Sequence, residues 1–136
     1  MGLGKIILIV DDEDDILELL DVILSDEGHR VVSASNGVEA LRVLAEEKVD
    51  LILTDIRMPQ MNGIELLTEL KNQGHHPPIV FVSGYSDISE EEAYALGVSR
   101  FIFKPFEVKT ILQTVRDLLG PTSANQEVAS SSEIQG

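Results

Sequence analysis

The chain has 136 residues, room for one domain and a short extension, and 43% of them are apolar, which supplies a real core and excludes a wholly disordered protein. Its net charge is −14, from 24 acidic against 10 basic residues, so it would repel a phosphate backbone, and direct nucleic-acid binding is not expected. No apolar run approaches the roughly 20 residues of a membrane span, no signal-peptide pattern opens the chain, and the absence of cysteine excludes disulfides, thiolate metal sites and thiol nucleophiles together. The expected setting is cytoplasmic, without membrane contact.

Lys5 to Val10 is an apolar run and predicts the first strand. Five acids follow, Asp11 to Asp15, and then Ile16, Leu19, Leu20, Ile23 and Leu24 recur at helical spacing, with Gly28 as the expected left-handed stop. Arg30 to Ala34 predicts a second strand, Asn36-Gly37 a turn, and Val38, Leu41 and Leu44 a second helix. Leu51, Ile52 and Leu53 form a continuous apolar run, the mark of a strand covered on both faces. Pro59, Asn62 and Gly63 punctuate the loop after it, and Ile64, Leu67 and Leu70 predict a third helix ending near Gly74. Ile79 to Val82 is a fourth strand. Ser86 or Asp87 is the expected cap of a fourth helix, which has the weakest apolar stripe and ends at Gly97. Phe101 to Phe103 is a fifth strand, and Val108, Ile111, Leu112, Val115, Leu118 and Leu119 give the strongest helical stripe. Strand and helix alternate five times. That is the pattern of an α/β domain with a doubly wound parallel sheet and helices on both faces. The domain is expected over residues 1–120. Residues 121–136 are too polar to pack and are expected to form a flexible tail.

Parallel strands bring their C-terminal ends to one edge, where ligands of such sheets bind. Four of those ends carry reactive residue types: Asp11-Asp12, Asp55, Ser83 and Lys104. Each alone has an ordinary reading. Asp12 could merely cap a helix, Asp55 could start a turn, and Ser83 and Lys104 could be surface groups. Together they favour one chemistry, phosphoryl transfer to a carboxylate. Asp55 would be the nucleophile. Adjacent carboxylates repel by about 1 to 4 kcal/mol depending on screening, and a divalent cation held by oxygen ligands, Mg²⁺, would offset that. Glu13, Asp14 and Asp15 are read as a solvated helix start. Lys104 would contact a phosphoryl oxygen or the free carboxylate, and Ser83 would hydrogen-bond the arriving group.

At this point the chain resembles the receiver domain of two-component response regulators. The resemblance spans about Lys5 to Leu119 and rests on I-L-I-V-D-D at Ile7 to Asp12, L-T-D-I-R-M-P at Leu53 to Pro59 with Gly63, V-F-V-S-G at Val80 to Gly84, and F-I-F-K-P-F at Phe101 to Phe106. It implies a flavodoxin-like sheet in the order 2-1-3-4-5. It implies Asp55 as phosphoacceptor, with Asp11, Asp12 and the Arg57 carbonyl helping to hold Mg²⁺. It implies Ser83 as the hydroxyl that responds to phosphorylation, Phe101 as the ring that turns with it, and a cis peptide between Lys104 and Pro105. The implied partners are a histidine kinase or histidine phosphotransfer protein, and a downstream protein met through helix four, strand five and helix five. The Glu90-Glu91-Glu92 run would give that face an acidic rim.

Arg57 and Tyr85 stand where the family varies. Both are large enough to hinder an attacking water, so slow self-dephosphorylation is expected. The polar tail implies a stand-alone receiver without an output domain. Such a protein promotes its own phosphorylation and dephosphorylation but is not an enzyme acting on outside substrates. A phosphatase with an aspartyl nucleophile is disfavoured because Arg57 stands where a second Asp would serve as acid and base. A flavin-binding protein is disfavoured because five acids would repel the flavin phosphate.

Overall fold

Five apolar runs become five parallel strands, each followed by a helix that returns the chain to the same starting edge. In the computed structural model, which describes residues 4–84 and 88–120, the elements are β1 (Ile6–Val10), α1 (Asp14–Asp26), β2 (Arg30–Ala34), α2 (Gly37–Glu46), β3 (Leu51–Thr54), α3 (Gly63–Gln73), β4 (Ile79–Ser83), α4 (Glu90–Leu96), β5 (Arg100–Phe103) and α5 (Val108–Leu119). The strands form one sheet in the order β2-β1-β3-β4-β5 and every pairing is parallel, the flavodoxin-like arrangement expected above. Among the described residues no helix is long and apolar enough to cross a membrane.

The pleat divides the strand residues between two cores. Leu8, Val10, Ile52, Ile79, Phe81 and Phe101 face α2, α3 and α4, and meet Ala40, Leu66, Leu67, Leu70 and Ala93. Ile7, Ile9, Leu51, Leu53, Val80, Val82 and Ile102 face α1 and α5, and meet Leu20, Ile23, Leu24, Ile111 and Val115. The three central strands are buried on both sides, which is why they read as continuous apolar runs without alternation.

Helix ends follow local chemistry. Asn62 and Glu65 form a reciprocal capping box at α3, and Asn36 caps α2 by accepting the Glu39 amide. The cap of α4 is Ser89, paired with Glu92 in a second capping box, and not Ser86 or Asp87; those two residues lie outside the described ones. Gly97 ends α4 at φ 111°, a conformation that costs a residue with a Cβ and costs glycine little. The tail beyond Gly120 and Tyr85 likewise lie outside the described residues.

Candidate functional site

The register puts Val10 beside Thr54, Thr54 beside Phe81 and Phe81 beside Phe101, one continuous row across the sheet. Asp11 and Asp55 are the next residues after Val10 and Thr54, so both carboxylates leave the sheet at its C-terminal edge. The Asp55 amide donates to the Val10 carbonyl at 2.9 Å, and the Asp11 amide to the Ala34 carbonyl at 3.1 Å, so ladder-like bonds fix both backbones.

Asp55 is only 8% exposed. Its Oδ1 accepts the Ile56 amide at 2.7 Å, and its Oδ2 faces the Lys104 ammonium at 3.2 Å. Its carbonyl oxygen accepts the buried Thr54 hydroxyl at 2.9 Å. Gly63 closes the loop against the same backbone. Its amide donates to the Ile56 carbonyl at 2.8 Å, and a Cβ at this position would overlap the Asp55 carbonyl oxygen. Glycine is therefore required for a close approach.

Lys104 enters from the end of β5. Its Nζ donates to Asp11 Oδ2 at 2.7 Å, to Asp55 Oδ2 at 3.2 Å and to Glu13 Oε1 at 3.3 Å. Burial alone would lower the Lys104 pKa, but the hydrogen bond and charge of Asp11, then those of Asp55, raise it to about 12. Lys104 therefore stays charged across the physiological range. Burial pushes the Asp11 carboxyl above its usual range, against the opposing pull of the Lys104 ammonium and the Glu13 amide. The bond from Lys104 to Pro105 is cis.

Ser83, the last residue of β4, is 1% exposed, and its carbonyl accepts the Lys104 amide at 3.0 Å. Gly84 follows directly; a Cβ there would stand 3.2 Å from Lys104 Cβ, so a larger residue would crowd the stem of the lysine. Phe101 is buried, its ring edge-on to Phe81 at 6.3 Å and tilted against Phe103 at 4.7 Å.

Asp11, Asp12 and Asp55 each offer a carboxylate oxygen within 4.8 Å of the others, with Asp11 and Asp55 buried and Asp12 exposed. The donors are all oxygen, charged and closely spaced, which suits a hard divalent cation such as Mg²⁺. Arg57 is exposed in the loop that follows. Asp12 does not cap α1. That position belongs to Glu13, whose amide donates to Asp11 Oδ1 at 2.9 Å.

Two contributors escape the sequence reading. Glu13, expected to be only solvated, brings a carboxylate to Lys104. Thr54, read only as strand, holds the Asp55 carbonyl. A hydroxyl inside an otherwise aliphatic run was the one available signal for Thr54, and nothing in the acidic run singles out Glu13.

The family model described as "Response regulator receiver domain" matches residues 7–116. The transcriptional regulatory protein GlrR of Escherichia coli (strain K12) is 37% identical over 114 residues, covering 83% of this chain and 26% of that protein. Sporulation initiation phosphotransferase F of Bacillus subtilis (strain 168) is 33% identical over 120 residues, covering 88% of this chain and 96% of that protein. Among solved structures, the response regulator protein TrrA of Thermotoga maritima, in complex with Mg(2+)-BeF, superposes with a TM-score of 0.76 at 32% identity, covering 85% of this chain and 99% of that one. The fold and the cluster at its edge define a two-component signalling domain. The chain belongs to the response regulator receiver domain family. It spans about a quarter of the length of several larger regulators it matches, GlrR among them at 26%.

Proposed function

We propose that this receiver accepts a phosphoryl group on Asp55 from a histidine kinase or histidine phosphotransfer protein. The observation that carries the reading is the convergence of Asp11, Asp12 and Asp55 with the Lys104 ammonium at one sheet edge. A carboxylate oxygen of Asp55 attacks phosphorus; an O–P bond forms, the N–P bond of a phosphohistidine donor breaks, and the imidazole leaves neutral once protonated. Asp11, Asp12 and Asp55, with the Arg57 carbonyl, would hold Mg²⁺, which when bound neutralises charge on the phosphoryl oxygens. The relative TrrA, solved in complex with Mg(2+)-BeF, supports that assignment. Lys104 supplies a fixed positive charge beside the acceptor. Ser83 stands one strand away, where its hydroxyl would donate a hydrogen bond to the new group, and Phe101 responds through its packing.

A surface for the downstream protein is offered by α4, β5 and α5. Phe103 and Val108 are exposed there, at 51% and 48%, and Glu90, Glu91 and Glu92 are exposed on α4. Phosphorylation can favour one arrangement of this face only by its differential interaction with two states.

The test is labelling by acetyl phosphate, read by intact mass. Wild type is expected to gain one phosphoryl group only with Mg²⁺, and Asp55→Asn none while keeping a native circular dichroism spectrum. Equal labelling of Asp55→Asn would refute the assignment.

A further inference from the structure

Helix α4 has seven residues and buries only Ala93. A helix this short is marginal by itself, so its position rests on a few specific ties. One tie runs to α3: Lys71 Nζ donates to the Leu96 carbonyl at 2.8 Å, satisfying an end group of the helix. The other runs to β5. The Phe101 amide donates to the Tyr94 hydroxyl at 3.2 Å. Among the described residues β5 is an edge strand, paired only with β4, so a side chain of α4 supplies a partner for one of its amides.

Of the two ties, only the second leads back to the acidic cluster. The residue that Tyr94 holds by its amide is the one whose ring packs edge-on to Phe81. Phe81 lies in register with Thr54, and Thr54 directly precedes Asp55 and bonds its carbonyl. We propose that Tyr94 is a positioning residue that locks α4 to β5, so that the placement of α4 and the placement of Phe101 form one equilibrium. This rests on the receiver reading above. With the hydroxyl present, a change at β5 moves α4. Without it, α4 keeps its α3 tie and the packing of Ala93 in the core shared with Phe101, and its link to β5 is weakened. Contacts in a row do not by themselves establish coupling, so the test must measure coupling.

Amide NMR spectra of wild type, Tyr94→Phe and Lys71→Ala, each with and without Mg²⁺-beryllofluoride, provide it. In wild type, loading should shift the Phe101 amide and the amides of Glu92, Ala93 and Leu96 together. In Tyr94→Phe, loading should still shift the Phe101 amide, while the α4 shifts fall to less than about half. Hydrogen exchange at Phe101 should rise about threefold to tenfold, the usual worth of one neutral hydrogen bond. Lys71→Ala loosens α4 without touching β5 and should keep the joint shift. Full α4 shifts in Tyr94→Phe, or an equal loss of coupling in Lys71→Ala, would overturn the proposal. A wild-type protein that fails to load at all would instead refute the phosphoacceptor reading, and the lock with it. Should Tyr94→Phe fold poorly, Tyr94→His retains a polar ring and should recover part of the α4 response.

Discussion

Lys104 is the cation at the centre of the site. One ammonium faces three carboxylates, from Asp11, Glu13 and Asp55. Two of these are buried, so their desolvation is offset mainly by that charge. Lys104→Met is expected to lower stability in EDTA by about 3 kcal/mol, the usual cost of stranding a buried charge. Millimolar Mg²⁺ should return much of the loss, because a cation at Asp11, Asp12 and Asp55 replaces the missing positive charge. Urea titrations with and without Mg²⁺ measure both effects, and identical midpoints for wild type and Lys104→Met in EDTA would contradict the account. At this scale Asp55, Ser83 and Lys104 are legible because each follows an apolar run. Glu13 is not, because only the fold brings Lys104 to it from a residue 91 positions away.

Among the elements, the helices differ in how they begin. α2, α3 and α4 have side-chain caps from Asn36, Asn62 and Ser89, whereas α1 starts at Glu13 with no side-chain cap bond. The Glu13 amide is taken instead by Asp11, a residue of the acidic cluster, so the start of α1 is tied to the site. The box at α3 is exposed, and its two bonds join Asn62 and Glu65 to each other. Asn62→Ala should therefore cost about 1 kcal/mol by thermal or urea unfolding and leave acetyl phosphate labelling of Asp55 unchanged. A change in labelling rate beyond about twofold would show that the α3 cap also shapes the loop after β3. Strand positions were readable from apolar runs. The start of α4 was not, because Ser86, Asp87 and Ser89 are all chemically competent caps and the choice depends on where the helix can pack Ala93.

Across the whole molecule, the opposite edge of the sheet carries a further buried titratable group, apart from Asp11 and Asp55. His29 is 6% exposed; its Nδ1 accepts the Lys5 amide at 3.1 Å, which leaves the proton on Nε2, buried with no hydrogen-bond partner among the described residues. Burial lowers its pKa from the ordinary 6.5, opposed chiefly by the nearby charge of Glu27, and the positive charge of the Lys5 side chain adds a smaller lowering. The folded state thus favours neutral His29. Its contribution is complete above pH 6.5 and is lost as pH falls from there through the lowered value. Protonation at Nδ1 would also set two donors against each other and release the start of β1. His29→Gln keeps an acceptor for the Lys5 amide but cannot titrate. The stability advantage of wild type over this variant should shrink between about pH 7.5 and about pH 5.5. Parallel curves for the two proteins would remove His29 from the acid response.

The order of strands and helices, the two apolar faces and the acidic, hydroxyl and lysine positions were determined by sequence alone, since periodicity and local chemistry act over a few residues. The joining of the acidic and lysine positions into one ionic cluster, the partners of Glu13 and Thr54, and the bond from Tyr94 to β5 were decided by tertiary structure. Each depends on the distance between segments far apart in the chain, and that distance is set by how the sheet is wound and packed.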